Sequence, residues 1–376
     1  MSALCSLVLI AALAVFATGC GSAAKRTDGR PRPQAHSPVE QRQPVRAGTL
    51  AGRYSAPRVS GDYAGYGTVA VFIDDIAARH GFPRDYLAGV LSQARRKQWT
   101  LDYLARDAGP AVATPRPGAW TRYRSKFLTE RHIDAGVGFW QRHGRSLQQA
   151  AERYGVAPEY ILGILGVETQ FGRNLGSHRV LDALTTLAFD YPRRGEYFRS
   201  ELEKFLVMAR GERIDPAKPV GSYAGAMGLG QFMPSSFLSW AVDFDGDGHR
   251  DLWQADDAIG SIANYFAEHG WRRGEPVVTA ATATEANVQN LESGYDSDYA
   301  LATLMAKGIR PAAPVAEDSS VSLLRLRADR GDEYWLGHKN FYVITRYNHS
   351  THYAMAVHQL AQAIKRRYLE SQRASR

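Results

Sequence analysis

The sequence predicts a predominantly helical α+β protein. Over most of the chain apolar residues recur three and four positions apart, as in VAVFIDDIAARHGF and EYFRSELEKFLVMARG, which is typical of amphipathic helices. Between about residues 275 and 345 the pattern changes to short runs rich in Val, Thr and Tyr, such as SVSLLRL, EYWLG and FYVITRY, which predict strands. The 376 residues, 44% hydrophobic and 22% charged, indicate a soluble folded chain with more than one domain.

The first twenty residues, MSALCSLVLIAALAVFATGC, contain both cysteines and a short apolar run. The run is too short to span a bilayer and ends in small residues, so residues 1–20 are predicted to be an export signal. The small residues directly before Cys20 resemble a bacterial lipoprotein processing site, which predicts lipidation of Cys20. An ordinary signal peptide with a free cysteine is the alternative. Residues 21–65 are rich in Pro, Arg and Gln and are predicted to form a disordered tether.

The net charge of +8 indicates an anionic partner, which includes nucleic acid, a membrane surface and acidic polymers. The basic residues are mostly scattered arginines, and the sequence has neither zinc-finger cysteines nor a helix dense in Lys and Arg. A nucleic-acid partner is therefore not expected. A solvated basic surface is the alternative.

The stretch GILGVETQFG places Glu168 on the apolar face of a predicted helix that begins near Pro158 and ends near Gly172. Apolar neighbours and the negative end of the helix dipole both disfavour ionisation, so we expect a raised pKa for the Glu168 carboxyl. A proton-donating acid needs this setting. The alternative is an ion pair with a nearby arginine, such as Arg173 or Arg179.

A second stretch, SYAGAMGLGQFMPSSF, is rich in glycine. Glycines allow tight turns and close approach to a ligand, while Ser222 and Gln231 supply hydrogen-bonding groups. The spacing is not that of a dinucleotide-binding loop, and no strand precedes it. The stretch is predicted to form the wall of a binding site, and a seam between packed helices is the alternative.

A third stretch, DFDGDGHRDLWQADD, carries acids at positions 1, 3 and 5 and glycine at position 6, which is the pattern of a calcium loop. In that scheme Asp243, Asp245 and Asp247 bind through their side chains, and His249 binds through its backbone carbonyl. Position 12 is a glutamine, so the closing carboxylate is expected to come from Asp257. We therefore predict a structural Ca²⁺ ion, with a solvated acidic turn as the alternative.

Four stretches occur in the order in which the membrane-bound lytic murein transglycosylase B family carries its motifs. They are VETQFG, YAGAMGLGQFMPSSF, the calcium loop closing in DAIGSIANYF, and ITRYNHSTHYAMAV. The chain from about Tyr66 to Leu369 resembles this family of the lysozyme-like superfamily. The resemblance implies a helical domain (66–150), a lysozyme-like catalytic core with the calcium loop (151–274), a small β domain (275–340) and a C-terminal segment (341–376) that returns to the core and the helical domain.

The resemblance implies an enzyme that cleaves the β-1,4 bond between N-acetylmuramic acid and N-acetylglucosamine in peptidoglycan without using water. Glu168 would first donate a proton to the glycosidic oxygen. As a carboxylate it would then take the proton of the muramyl C6 hydroxyl, which attacks C1 and leaves a 1,6-anhydro end. One acid suffices because this internal hydroxyl replaces the activated water of ordinary glycosidases.

By the same resemblance, Ser222 and Gln231 contact the sugar or hold Glu168. Tyrosines suit saccharides because the ring packs on apolar sugar faces and the hydroxyl bonds at the rim, and an arginine pair suits the carboxylates of the stem peptide. The alternative for the tyrosines is packing in the core, and the alternative for the arginine pair is a solvated position on the surface. The residues implied along the substrate path are Tyr123, Tyr265, Tyr347, Asn348, Tyr353, Arg193 and Arg194.

Two rival functions remain open. A hydrolytic muramidase on the same fold would need a second carboxylate across the cleft, and the candidates are Asp182, Asp190 and Glu196. A non-catalytic, calcium-stabilised lipoprotein that binds the cell wall is the other rival.

The lipid anchor implies a place in the cell envelope. The residue after the lipidated cysteine is Gly21, whereas an Asp at this position retains lipoproteins in the inner membrane. Attachment to the outer membrane, facing the periplasm, is therefore expected. The expected partners are peptidoglycan strands with their stem peptides and the membrane. The protein is expected to be a monomer.

Overall fold

The computed structural model describes residues 53–107 and 117–374. The predicted export signal, Cys20 and most of the predicted tether lie outside these residues. Within them, no helix combines the length and the apolar character that a bilayer span requires.

The described chain is mainly helical, which confirms the predicted fold class. The helices are α1 (Gly67–His80), α2 (Arg84–Leu91), α3 (Gln98–Asp107), α4 (Ala119–Arg124), α5 (Glu130–Arg142), α6 (Gly144–Tyr154), α7 (Pro158–Thr169), α8 (Val180–Asp190), α9 (Gly195–Gly211), α10 (Pro234–Trp240), α11 (Ala255–Glu268), α12 (Glu285–Val288), α13 (Leu301–Ala306), α14 (Lys339–Tyr347) and α15 (Thr351–Ala374). The strands are β1 (His178–Arg179), β2 (Val220–Gly221), β3 (Val278–Thr282), β4 (Tyr299–Ala300), β5 (Arg310–Pro311), β6 (Ser320–Ala328) and β7 (Gly331–Gly337).

The strands form two antiparallel sheets of different size. Strands β1 and β2 pair as a short ladder, with His178 opposite Gly221. The larger sheet has the order β4-β6-β7-β3-β5, and its longest ladder joins β6 to β7 with Leu324 opposite Trp335. Alternating buried residues along β6 give this sheet one core-facing side, as period-two patterning requires.

One segment predicted as a strand is helical. FYVITRY lies in α14, where Phe341, Ile344 and Thr345 are buried. These three residues are spaced three and four apart, so in a helix they share one face against the core. Packing of that face overrides the β propensity of Val, Ile, Thr and Tyr, which is only a weak preference.

The end of the predicted tether also needs correction. Residues 53–65 pack on the folded body, since Tyr54 and Tyr63 are buried. The Tyr54 hydroxyl donates a hydrogen bond of 2.6 Å to the Asp215 carboxylate. Two tyrosines bury enough apolar surface to order a short segment that is otherwise polar.

The hydrophobic core has two parts. A large cluster extends over the helices from Tyr54 to Ile364. A small separate cluster lies inside residues 275–340 and joins the large sheet to α12 and α13 through residues such as Val288, Leu304 and Leu336. The candidate site belongs to the large cluster.

Candidate active site

Helix α7 is buried along nearly its whole length, because apolar residues cover all its faces. Two glycines let it approach α15 closely. A Cβ at Gly163 would lie 2.7 Å from the Val357 carbonyl oxygen, and one at Gly166 would lie 2.6 Å from the Leu360 Cδ2 atom. Any larger residue would push the helices apart. This close packing brings the last turn of α7 next to the first turn of α15.

Glu168 lies in that last turn and is only 7% exposed. The hydroxyl of Tyr353, in the first turn of α15, donates a hydrogen bond of 2.5 Å to Glu168 Oε1. Burial raises the pKa of Glu168 from 4.5 to about 7, while the bond from Tyr353 lowers it by a smaller amount. No cation among residues 53–107 and 117–374 forms an ion pair with this carboxyl. The predicted alternative of an arginine pair is absent, since Arg179 pairs with Asp182 instead.

The chain leaves α7 through a strained turn. Gln170 and Phe171 have φ angles of 52° and 58°, which non-glycine residues adopt at a cost of about 1 kcal/mol or more each. The hydroxyl of Thr169 holds the turn, because it donates to the Leu229 carbonyl oxygen (2.9 Å) and accepts from the Gly172 N–H (3.1 Å). The end of α7 is thereby fixed to the glycine-rich stretch.

A cavity of about 200 Å³ opens beside the Glu168 carboxyl. Of the sequence-predicted residues, the structure brings seven to this cavity. Its lining consists of Tyr123, Lys126, Phe127, Val167, Glu168, Gln170, Asn174, Ser222, Tyr223, Ala224, Ala226, Gln231, Met233, Tyr347, Asn348 and Tyr353. Glu168 is the only acid in this lining.

The polar side chains of the cavity are held in place from behind. Ser222 Oγ accepts hydrogen bonds from the backbone N–H groups of Ala224 and Ala226 (3.3 and 3.0 Å), so its own hydrogen is left to point elsewhere. The Tyr347 hydroxyl donates to the Gly230 carbonyl oxygen (2.6 Å). Asn348 Oδ1 is buried and has no hydrogen-bond partner within the described part of the chain. Such an atom is costly unless a ligand or water pairs with it.

Tyr265 is not among the residues that line this cavity, and its predicted place in the cleft stays a prediction. Its hydroxyl donates to the Arg346 carbonyl oxygen (2.6 Å), and its ring packs edge-on against Tyr347 at 4.9 Å. Tyr265 therefore supports Tyr347 from inside the core. Periodicity could show that this residue of α11 is buried but not which buried residues face a cavity.

Arg193 and Arg194 also lie outside the cavity lining, in a 3₁₀ turn (Pro192–Arg194) between α8 and α9. The Arg194 guanidinium lies 4.2 Å from the ring centroid of Tyr197. Their predicted contact with stem peptides stays a prediction.

Sequence reasoning missed several lining residues. Tyr223 is the neighbour of Ser222 in the glycine-rich stretch, and Gln170 and Asn174 follow Glu168 closely, so proximity to those motifs was an available signal. Lys126 is not close in sequence to any of those motifs, so the sequence did not point to it. Its ammonium lies 5.7 Å from the Tyr123 ring centroid.

The acidic loop before α11 brings three carboxylates together. Oxygens of Asp243, Asp245 and Asp247 lie within 4.8 Å of one another. Gly248 has a φ angle of 91°, as the sharp turn of a calcium loop needs. Clustered hard oxygen donors fit Ca²⁺ by their chemistry.

Asp257 is not part of this cluster of three side chains, and its predicted part as the closing ligand stays a prediction. Its carboxylate is buried and accepts hydrogen bonds from the backbone N–H groups of Phe244 (2.7 Å), Asp245 (3.3 Å) and Asp251 (2.7 Å). It lies in the first turn of α11 and closes the loop through these backbone bonds. Asp257 therefore shapes the loop from inside.

The three candidates for a second catalytic carboxylate lie elsewhere. Asp182 is fully buried and paired with Lys97 and Arg179. Asp190 accepts from two tyrosine hydroxyls and pairs with an arginine, and Glu196 is exposed on α9. None of the three lines the cavity.

Fold and site together fit an enzyme that works by proton transfer. Such an enzyme requires a protonatable carboxyl, and here a lysozyme-like helical core holds a buried one in a tyrosine-lined cavity.

The family follows from the sequence. A family model described as a transglycosylase SLT domain matches residues 66–362, and the chain belongs to this family. The family resemblance of the sequence and the prediction of an enzyme are thereby confirmed.

Similar proteins carry related descriptions. The chain is 48% identical over 319 residues to the membrane-bound lytic murein transglycosylase B of Escherichia coli strain K12, covering 84% of this chain and 87% of that protein. A structure of the E. coli lytic transglycosylase SLT35 in complex with calcium is 49% identical, has a TM-score of 0.78 and covers 83% of this chain and 97% of that one. SltB3 from Pseudomonas aeruginosa in complex with NAG-NAM-pentapeptide is 27% identical, with a TM-score of 0.68 and coverage of 79% of each chain.

Proposed function

We propose that this transglycosylase cleaves the β-1,4 bond between N-acetylmuramic acid and N-acetylglucosamine in peptidoglycan and leaves 1,6-anhydro ends. The observation that carries the proposal is the lone acid of the cavity. Glu168 is buried without a cation, and its pKa is raised to about 7, so the carboxyl can give and take a proton near neutral pH. The complexes of relatives with murein fragments agree with this substrate class.

The reaction has two proton transfers. Protonated Glu168 donates its hydrogen to the glycosidic oxygen, and the bond from C1 to that oxygen breaks. Positive charge develops at C1, where the muramyl N-acetyl oxygen stabilises it. The Glu168 carboxylate then removes the proton of the C6 hydroxyl, and the C6 oxygen bonds to C1. Glu168 ends the cycle protonated, as it began.

The surrounding residues position the acid and the sugar. Tyr353 orients the Glu168 carboxyl through its 2.5 Å hydrogen bond. Ser222 and Gln231 form the polar wall, and the unpaired Asn348 Oδ1 accepts a hydrogen bond from an N-acetyl N–H or a hydroxyl of the substrate. Tyr123 and Tyr347 offer rings and hydroxyls to the saccharide.

The acidic loop is proposed to bind a structural Ca²⁺ ion through Asp243, Asp245 and Asp247. The His249 backbone carbonyl and the closing carboxylate of Asp257 are the further proposed ligands. The calcium complex of the relative SLT35 supports this choice of ion. Chelation should lower the melting temperature of the wild type by several degrees, since an ion that binds only the native state stabilises it. Asp245→Asn should remove that dependence on calcium.

We also propose a lipid anchor at Cys20 and attachment to the outer membrane. The relative's description as membrane-bound agrees with a place in the envelope. Mass spectrometry of the mature N-terminus tests this: a diacylglyceryl group on Cys20 is the expected result, and an unmodified Cys20 would refute it.

Product analysis tests the proposed reaction against hydrolysis. Purified sacculi are digested with wild type and with Glu168→Gln protein, and the fragments are weighed by mass spectrometry. Anhydro ends, lighter by one water than reducing ends, are expected with wild type and no release with the variant. Reducing muramic ends would identify a hydrolytic muramidase, and binding without release by wild type would favour a wall-binding protein.

A further inference from the structure

A group of aromatic rings with one exposed member, Trp99, lies beside the cavity. We call Trp99, Tyr103, His178 and Tyr223 the Trp99 cluster. The Trp99 ring stacks with Tyr103 at 5.3 Å and with His178 at 5.6 Å, and Tyr223 meets Tyr103 edge-on at 5.1 Å. Trp99 is 49% exposed although it is one of the largest apolar side chains. What sets Trp99 apart from other exposed apolar residues is that its ring continues a cluster of rings that reaches a cavity.

The Trp99 cluster is held by a buried carboxylate. Asp182, fully buried in α8, accepts hydrogen bonds from the Arg95 backbone N–H (2.9 Å) and from the Arg179 guanidinium (2.7 and 3.0 Å). It also pairs with the Lys97 ammonium at 3.0 Å. These bonds fix the segment just before Trp99 and the residue just after His178. The rings are therefore placed on a rigid support, as a preorganised binding surface requires.

The Trp99 cluster continues the lining of the cavity. Tyr223 belongs to both, since it lines the cavity that holds Glu168 and lies 6.2 Å from the Trp99 ring. The backbone provides a second connection. His178 pairs with Gly221 in the β1–β2 ladder, and Ser222 of the cavity wall follows directly. A chain-like ligand that leaves the cavity past Tyr223 would meet Trp99 next.

We propose that the Trp99 cluster is a distal subsite that binds a sugar unit of the same glycan strand whose scissile bond lies at Glu168. This inference rests on the proposed function. Pyranose rings have apolar faces that pack on aromatic rings and hydroxyl rims that bond to groups such as the Tyr103 hydroxyl and the His178 ring nitrogens. The Trp99 cluster therefore increases affinity for long strands and does not alter the chemical step.

The experiment measures how affinity depends on strand length. Peptidoglycan glycan strands of two to eight sugars, freed of peptides, are titrated calorimetrically into Glu168→Gln protein, which binds without turnover. The same titrations use double variants that add Trp99→Gln, Trp99→Phe or Tyr342→Ala. Tyr342 is a matched control because it is an aromatic residue of 37% exposure outside the cavity lining.

Affinity of the Glu168→Gln protein should rise with strand length. Trp99→Gln should weaken the binding of the longest strands about tenfold and leave the affinity for the shortest strands unchanged. Trp99→Phe should keep most of the increase in affinity with strand length. Tyr342→Ala should change neither. Equal affinities for all lengths in the parent, or an unchanged length dependence in Trp99→Gln, would overturn the inference. Melting temperatures of each variant show that the fold persists.

The same variants in the active enzyme separate this inference from the proposed function. Trp99→Gln should raise KM on long strands and leave kcat unchanged. Failure of the wild type to release anhydro fragments would reject the proposed reaction, and the calorimetric titrations would still decide the role of the Trp99 cluster.

Discussion

The two ends of α7 carry buried glutamates in opposite electrostatic settings. Glu159, 5% exposed in the first turn, pairs with the Lys365 ammonium at 2.7 Å. Glu168, 7% exposed in the last turn, has the hydroxyl of Tyr353 as its one hydrogen-bond partner among residues 53–107 and 117–374. The helix dipole favours a negative charge at the first end and disfavours it at the second. One helix thus holds a glutamate suited to structure and a glutamate suited to proton transfer.

The comparison shows that burial alone does not determine the electrostatic setting of a carboxyl. Asp182 is more deeply buried than either glutamate, yet two cations and a backbone N–H compensate its charge. Of these three carboxyls, Glu168 alone lines the cavity, and no cation in the described part of the chain pairs with it. Without such compensation, burial raises the pKa of Glu168 to about 7.

The largest expected effect is loss of turnover in Glu168→Gln. An amide of the same shape can neither donate the first proton nor take the second, so kcat on sacculi should fall by about 10⁴-fold. Glu159→Gln is the matched control on the same helix and should keep kcat within about twofold. Substantial turnover by Glu168→Gln would show that the acid lies elsewhere.

The second effect concerns stability and pH. Because the pKa of Glu168 is raised to about 7 in the folded state, its contribution to stability is fully present below its unfolded value of 4.5 and is lost as pH rises through 7. The shift corresponds to about 3 kcal/mol. Urea unfolding from pH 4 to pH 8 should therefore show that Glu168→Gln gains stability relative to wild type as pH rises. Parallel curves for the two proteins would contradict a raised pKa.

The third effect comes from Tyr353→Phe, which removes the hydrogen bond of the Tyr353 hydroxyl to Glu168. That bond lowers the pKa of Glu168, so the variant should have a higher pKa and a pH–rate profile displaced to higher pH. Loss of orientation should reduce kcat by about tenfold. A profile that keeps its position would show that the hydroxyl does not bind the acid.

The smallest effect is expected for the stability of Glu159→Gln. Lys365 is 44% exposed and can be hydrated when its partner is lost, so the free energy of unfolding should fall by only about 1 kcal/mol. Chemical denaturation at pH 7 measures this. A larger loss would mean that the ion pair of Glu159 and Lys365 contributes more to the free energy of unfolding than the exposure of Lys365 indicates.

Local context explains which parts of the site were predictable from sequence. Glu168 stood out because an acid on an apolar helix face is visible within ten residues, and Ser222 and Gln231 stood out within one glycine-rich stretch. Tyr265 and Asp257 are buried, and their predicted roles stay predictions because each depends on the direction in which a buried side chain points. A linear pattern does not contain that information.

Tertiary packing explains the remaining differences. FYVITRY became helical because its buried face fits the core better than a strand would. The Trp99 cluster was not predicted, since residues 99, 103, 178 and 223 are brought together only by the bonds of Asp182 and the β1–β2 ladder. The order of the motifs in the sequence was enough to predict the family. The surface around the motifs could be described only from the three-dimensional structure.

A direct titration of Glu168 tests the central claim. Protein with ¹³C-labelled glutamate side chains is followed by NMR from pH 3 to pH 9, and the Glu168 signal is assigned by its absence in Glu168→Gln. We expect this carboxyl to titrate with a pKa near 7. A midpoint below about 5, the range of ordinary glutamates, would contradict the account of a buried acid kept protonated by its surroundings.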